Sequence, residues 1–203
     1  MTKLFLCASF ADTADLFAQH YTALQGKRVA FIPTASIHEA YVGYVEAARC
    51  ALMALGLIIE EVELSLRESA DIVATINSCD FIYVSGGNTF FLLNELRRKC
   101  ADITIMEHIR QGKLYIGESA GAMICAPCVD YVKLMDDYAK LTPNFRDFKG
   151  LEVIDFYPVP HYNEWPFVAV TQSMVQHFSH LPLCLMANHQ AIVVQGKAIE
   201  CLG

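Results

Sequence analysis

Between residues 114 and 122 the chain reads Leu-Tyr-Ile-Gly-Glu-Ser-Ala-Gly-Ala, which sets Ser119 between Gly117 and Gly121 directly after an apolar run. Gly-x-Ser-x-Gly suits a nucleophilic serine. A sharp strand-to-helix turn that projects Oγ away from a sheet needs small residues two before and two after it. One apolar run earlier, Phe81–Val84 leads into Ser85-Gly86-Gly87-Asn88-Thr89-Phe90. Two glycines there let backbone N–H groups approach a developing oxyanion, with Gly87 and Ala120, the residue after the serine, as the expected donors. The same stretch also reads as a plain turn in which Asn88 caps the next helix. It carries neither the lysine of a phosphate loop nor G-x-G-x-x-G spacing.

A nucleophilic serine needs a base, and seven histidines are present, at 20, 38, 108, 161, 177, 180 and 189. Five lie in or beside helical patterns. His161 follows Phe156-Tyr157-Pro158-Val159-Pro160, a strand end of the kind where site residues collect, and is the expected base; His189, at another strand junction, is its rival. After Glu164 the only side-chain carboxylate is Glu200. The group that orients the imidazole is therefore Glu200, an amide, of which Asn188 is the candidate, or one of the nearby acids Glu164 and Glu118. An amide holds the tautomer but does not stabilise the imidazolium, and Asp-to-Asn in a serine triad costs about 10⁴ in rate. Gly86, Asn88, Glu118 and Glu164, which flank these groups in the chain, are the candidate substrate contacts.

The elements that must bring these groups together are apolar runs alternating with helical periodicity: Leu4–Leu6, Val29–Ile32, Leu57–Ile59, Phe81–Val84 and Leu114–Ile116. Ser36 and Glu39 read as a capping box opening a helix whose face is Tyr41, Val45, Ala48, Leu52 and Leu55 and whose stop is Gly56. Other helices are expected near Asp12, Glu68, Asn88 and Asp102. Continuous apolar strands imply a mostly parallel sheet covered on both faces, a doubly wound, three-layer α/β fold with its site beyond the carboxyl ends of the strands. From Asp130 to Lys149 the pattern lapses into an expected surface excursion bordering the site, a candidate lid, before the sheet resumes near Val153–Val159. The helix expected over Phe167–Phe178 carries no Asp, Glu, Lys or Arg, which marks it as a candidate homodimer surface.

Composition narrows the function classes. At 203 residues the chain is expected to form one domain, 1–203, and with 54% apolar and 18% charged residues it is not disordered. A net charge of −7 and the absence of any Lys/Arg cluster argue against nucleic-acid binding. Met1–Phe10 reads as a strand rather than a signal peptide, and polar residues interrupt every apolar stretch long enough to cross a membrane. Eight irregularly spaced cysteines suit reduced thiols in a cytoplasm. Cys125-Ala-Pro-Cys128 has the spacing of a redox pair or half a zinc site, but no second pair completes it, so packing is the expected role.

Taken together, Gly86-Gly87-Asn88-Thr89-Phe90, Tyr115-Ile116-Gly117-Glu118-Ser119-Ala120-Gly121-Ala122, Pro160-His161-Tyr162 and Asn188-His189-Gln190-Ala191-Ile192-Val193-Val194 resemble the peptidase E (aspartyl dipeptidase) family of serine peptidases, which is related to the cyanophycinases. The resemblance spans nearly the whole chain. It implies a fold like class I glutamine amidotransferase domains, Ser119 as nucleophile, His161 as base, an oxyanion hole around Gly87 and Ala120, no metal and no organic cofactor. Two departures stand out. The family carries Asp or Glu where this chain has Asn188, and aspartyl dipeptidases place a basic residue downstream of the histidine, where the only Lys or Arg here is Lys197. The expected function is a serine peptidase acting on short peptides, without support for strict N-terminal Asp specificity. The alternatives are a weak or inactive member that binds a peptide or metabolite, and an esterase or amidase on a non-peptide substrate.

Overall fold

The five apolar runs become five adjacent parallel strands. In the computed structural model, which describes residues 1–203, β1 (Lys3–Cys7), β2 (Arg28–Ile32), β3 (Ile58–Glu61), β4 (Phe81–Val84) and β5 (Leu114–Glu118) lie in the order β3-β2-β4-β5-β1. Two short strands, β6 (Tyr157–Val159) and β7 (Leu183–Leu185), pair in parallel as a separate sheet. A hairpin of β8 (Ala191–Gln195) and β9 (Ala198–Leu202) then joins the main sheet antiparallel at β1, completing seven strands.

Side chains alternate across a strand, so each continuous apolar run feeds two cores. Phe5, Val29, Phe31, Tyr83 and Ile116 pack with Phe10 and Phe17 of α1 (Phe10–His20) and Val45, Ala48 and Leu52 of α2 (Gly43–Ala54). Leu4, Leu6, Ile32, Val84 and Tyr115 face the opposite core, against α3 (Ser69–Ser78), α4 (Thr89–Arg98) and α5 (Ala101–Arg110). The doubly wound, three-layer arrangement read from the sequence is the one observed. No helix is long and apolar enough to cross a membrane.

Three local expectations fail for tertiary reasons. Ser36 does not cap a helix: Thr34–Ser36 form a short 3₁₀ turn, Ser36 Oγ donates to the Pro33 carbonyl, and α2 starts only at Gly43 without a side-chain cap. Tyr41 accordingly lies outside α2 and is exposed, although Val45, Ala48 and Leu52 form its buried face. The main sheet does not resume at Val153; only Tyr157–Val159 are extended there, and they pair with β7 instead. The run after Ser119 gives a helix of one turn, α6 (Ala120–Met123).

The 130–149 excursion contains a 3₁₀ turn at Asp130–Leu134 and a one-turn helix, α7 (Tyr138–Leu141). An aromatic cluster holds it down: Tyr138, Phe145 and Phe148 each meet Phe90 of α4 edge-on at 5.6–5.8 Å between centroids. The remaining helix, α8 (Val168–His177), buries Thr171 and Met174. Cys125 is buried and donates to the Gly121 carbonyl, while Cys128 accepts from the Asp130 N–H.

Candidate active site

Ser119 sits where β5 hands over to α6, with φ +48° and ψ −105°. A non-glycine residue held at positive φ costs roughly 1–3 kcal/mol and persists only where its surroundings over-determine it. Here the Ser119 N–H donates to the Cys7 carbonyl of neighbouring β1 at 2.9 Å, and the N–H groups of Ala122 and Met123 donate back to the Ser119 carbonyl, each at 2.9 Å. Ile116, Ala120 and Met123 are buried on either side of the turn. Burial of a single large apolar side chain contributes about 1.5–3 kcal/mol, enough to offset the strain. Gly121 is required by contact, since a Cβ there would lie 2.3 Å from the Val84 carbonyl oxygen of β4.

Beside the serine, the chain leaves β4 through Ser85-Gly86-Gly87. Gly87 has φ +129°, and a Cβ on it would stand 2.2 Å from the Ala35 carbonyl, so only glycine fits. That close approach is fixed by Asn88, whose N–H donates to the same carbonyl at 2.8 Å. The N–H groups of Gly87 and Ala120 donate to no acceptor in the protein. The Asn88 side chain is engaged within the protein: its Oδ1 caps α4 by accepting from the Phe91 N–H, and its Nδ2 donates to the Asp137 carbonyl.

Across the cleft, β6 ends and His161 follows with φ +60°. Its Nε2 lies 3.0 Å from Ser119 Oγ, and its Nδ1 lies 2.7 Å from Asn188 Oδ1. With the amide oxygen facing Nδ1, the ring proton resides there and Nε2 accepts the serine hydroxyl. The small sheet brings these two segments together, because the Met186 N–H donates to the Val159 carbonyl and the Tyr162 N–H to the Met186 carbonyl, each at 2.9 Å. Phe167 stacks on the imidazole at 4.6 Å between centroids and 23° between planes. Burial holds the His161 pKa below its ordinary value, against the upward pull of the Asn188 bond and the Glu164 charge.

The other candidates separate clearly. His189 and Glu200 are exposed and outside the site. Glu164 does not reach the imidazole; its Oε1 accepts the Asn188 N–H at 3.3 Å, behind the amide. Glu118 points the other way. Although it borders the cavity, it is 2% exposed, and its carboxylate accepts from the Phe10 N–H at 2.9 Å and from the Tyr83 hydroxyl. Neither acid hydrogen-bonds His161, and the Glu118 carboxylate is fully engaged within the protein.

These groups open onto a cavity of about 750 Å³. Its walls include residues that carried no signal in the chain: Glu39 and Tyr44 before and within α2, Asp136 and Lys140 in the excursion, and Trp165 at the rim, 88% exposed. The excursion therefore does border the site. Asp136 accepts the Thr89 N–H at 2.7 Å, and burial, with a smaller push from Glu39, raises its pKa to about 6. Lys140 is the only Lys or Arg on the wall; Lys197 lies outside it.

The family model described as Peptidase family S51 matches residues 5–202. An uncharacterized peptidase of Pasteurella multocida is 49% identical over 198 residues, spanning 97% of this chain and 95% of its own. Peptidase E of Salmonella typhi is 30% identical over 163 residues, 78% of this chain and 66% of its own. A protein of Listeria monocytogenes EGD-e, solved at 1.5 Å, superposes with a TM-score of 0.95 at 44% identity, covering 100% of this chain and 98% of that one.

Proposed function

The chain belongs to peptidase family S51, and from that premise we propose that it is a serine peptidase that cleaves short peptides through an acyl-enzyme on Ser119. The observation that carries the reading is the strained Ser119 turn with His161 Nε2 3.0 Å from its Oγ. A serine hydroxyl is a weak nucleophile at its free pKa and is activated by an adjacent base. Ser119 Oγ attacks the scissile carbonyl carbon while its proton passes to His161 Nε2. The N–H groups of Gly87 and Ala120 donate hydrogen bonds to the oxyanion. His161 returns the proton to the departing amine as the C–N bond breaks. Water then adds to the acyl carbon, giving a proton to His161, and the ester bond to Ser119 breaks with protonation of its Oγ.

Asn188 limits the rate rather than forbidding the chemistry. Its oxygen sets the Nδ1 tautomer, and Glu164, behind it, supplies negative charge that favours the imidazolium. A full carboxylate at the third position would do more. The depressed His161 pKa keeps the imidazole neutral, and so basic, at pH 7. On the substrate side, the cavity is of ordinary small-ligand size and suits a peptide of a few residues. Its wall carries Glu39 and Asp136 against one cation, Lys140, which gives no preference for an N-terminal Asp side chain.

The test is the intact mass of the protein after exposure to a small serine-reactive phosphonate, alongside Ser119→Ala. One adduct on the wild type and none on the variant is expected. No adduct on either would overturn the nucleophile and favour the reading the amide at 188 invites, a family member that binds peptides without cleaving them.

A further inference from the structure

Glu118 is a buried acid that the proposed mechanism does not use, and it lies under the two parts of the site that must keep a fixed separation. Its carboxylate accepts from the Phe10 N–H at the start of α1, at 2.9 Å, and from the Tyr83 hydroxyl on β4. The nearby Gly86 N–H favours its charged form, while the hydrogen bonds themselves come from Phe10 and Tyr83. Gly86 in turn lies against the nucleophile, since a Cβ on it would stand 3.2 Å from Ser119 Cβ and 3.8 Å from Ser119 Oγ. One side chain, adjacent to Ser119 in the chain, thus joins β5 to the start of α1 and to β4, the strand that leads into the Gly86–Gly87 loop.

We infer that Glu118 is a positioning residue, whose carboxylate ties β4, the strand that leads into the Gly86–Gly87 loop, and the start of α1 to the strand that carries Ser119 and so sets the distance from nucleophile to oxyanion donor. The inference rests on the reading of Ser119 as nucleophile. Its physical basis is that an ionised carboxylate offers about four lone-pair sites and accepts several donors at once, whereas the protonated or amide form must turn a donor of its own toward that ring of donors. A loosened first donor matters, because removing one oxyanion N–H costs about 10²–10³ in rate and a displacement of about 1 Å can cost about 10²-fold.

The tether is also sensitive to pH. The groups facing Glu118 are Cys7 from β1, Asp12 from α1, Tyr44 from α2 and Tyr83 from β4, and none of them is a cation. Burial raises its pKa to about 7, opposed by the Tyr83, Phe10 and Gly86 donors. The tether is therefore stronger above that pH and weaker below it. His161 loses its basicity at a lower pH, so the acid limb contains two ionisations rather than one.

The experiment is the rate of phosphonate labelling of Ser119 from pH 5 to 9 in wild type, Glu118→Gln and Tyr83→Phe, with melting temperatures measured in parallel. Wild type is expected to lose reactivity in two steps, the upper near pH 7. Glu118→Gln is expected to label about 10- to 100-fold more slowly at pH 8 and to lack the upper step. Tyr83→Phe removes a donor that favours the charged form, so it moves the upper step to higher pH, and it serves if Glu118→Gln fails to fold. Labelling of Glu118→Gln at the wild-type rate, or an unmoved upper step in Tyr83→Phe, would overturn the tether. Absence of labelling in wild type at every pH would overturn the nucleophile itself, and the tether with it.

Discussion

The two sides of the cleft are built differently. The nucleophile side is the end of the main sheet: β4 and β5 are central strands, and Ser85, Glu118 and Ala120 are all buried. Every backbone turn there is forced by contact with a neighbouring strand or loop, as at Gly87 and Gly121. The histidine side hangs on a two-stranded sheet of three residues per strand, and His161, Glu164 and Asn188 are only partly buried. Its geometry depends on a chain of single contacts from Phe167 to His161 to Asn188 to Glu164. The contrast sets a half packed into the main sheet against a half held by single contacts, so substitutions on the first should act more severely than those on the second.

The largest effect is expected from Ser119→Ala, which should abolish peptide hydrolysis while moving the melting temperature little; unfolding instead would make the Ser119 turn a structural element. Next comes Gly87→Ala, where the added carbon meets the Ala35 carbonyl at 2.2 Å. Displacement of that donor should lower kcat by about 10²–10³ with little change in KM, as read from steady-state kinetics. An unchanged kcat would place the oxyanion elsewhere.

On the histidine side, Asn188→Asp should raise kcat/KM by tenfold or more, since a charged third member stabilises the imidazolium; no gain would mark the site as a binding site. Phe167→Ala should cost a few-fold in kcat and shift the acid limb. Burial depresses the His161 pKa, so uncovering the ring lets it rise toward its ordinary value of about 6.5, and the lower step of the acid limb of kcat/KM moves to higher pH. A lower step that stays in place would deny His161 the role of base. The smallest effect is expected from Lys140→Ala, a change of about fivefold or less in KM, confined to peptides with an acidic group near the cut, because an exposed cation contributes about 1 kcal/mol or less.

Legibility in the chain follows the same division. Ser119 and its glycines were readable because the turn's demands fall on residues two positions away, and the apolar strand before it signals the sheet. The helix starts near Asp12, Glu68, Asn88 and Asp102 were readable for the same local reason, and all four lie within two residues of an observed helix start or cap. The capping pattern at Ser36 and Glu39 misled because Ala35 is engaged by the Gly87 turn, a contact some fifty residues away that holds Thr34–Ser36 in a 3₁₀ turn. Glu118 misled for another reason: adjacency to Ser119 says nothing of direction, and alternation along β5 sends its side chain to the α1 face, away from His161.

By itself, then, the sequence determined the doubly wound sheet and the strand-to-helix turn at Ser119, and singled out His161 as the histidine to face it, since hydrophobic period, glycine placement and strand ends are properties of short segments. Only the tertiary structure decided that Asn188 rather than Glu164 or Glu200 faces the imidazole, that Glu118 turns to the Phe10 N–H and the Tyr83 hydroxyl, and that Glu39, Asp136 and Lys140 share one cavity wall. Those relations join loops separated by the strand order β3-β2-β4-β5-β1, and their distances are set by how sheets, helices and the small β6–β7 pair pack, which no segment encodes alone.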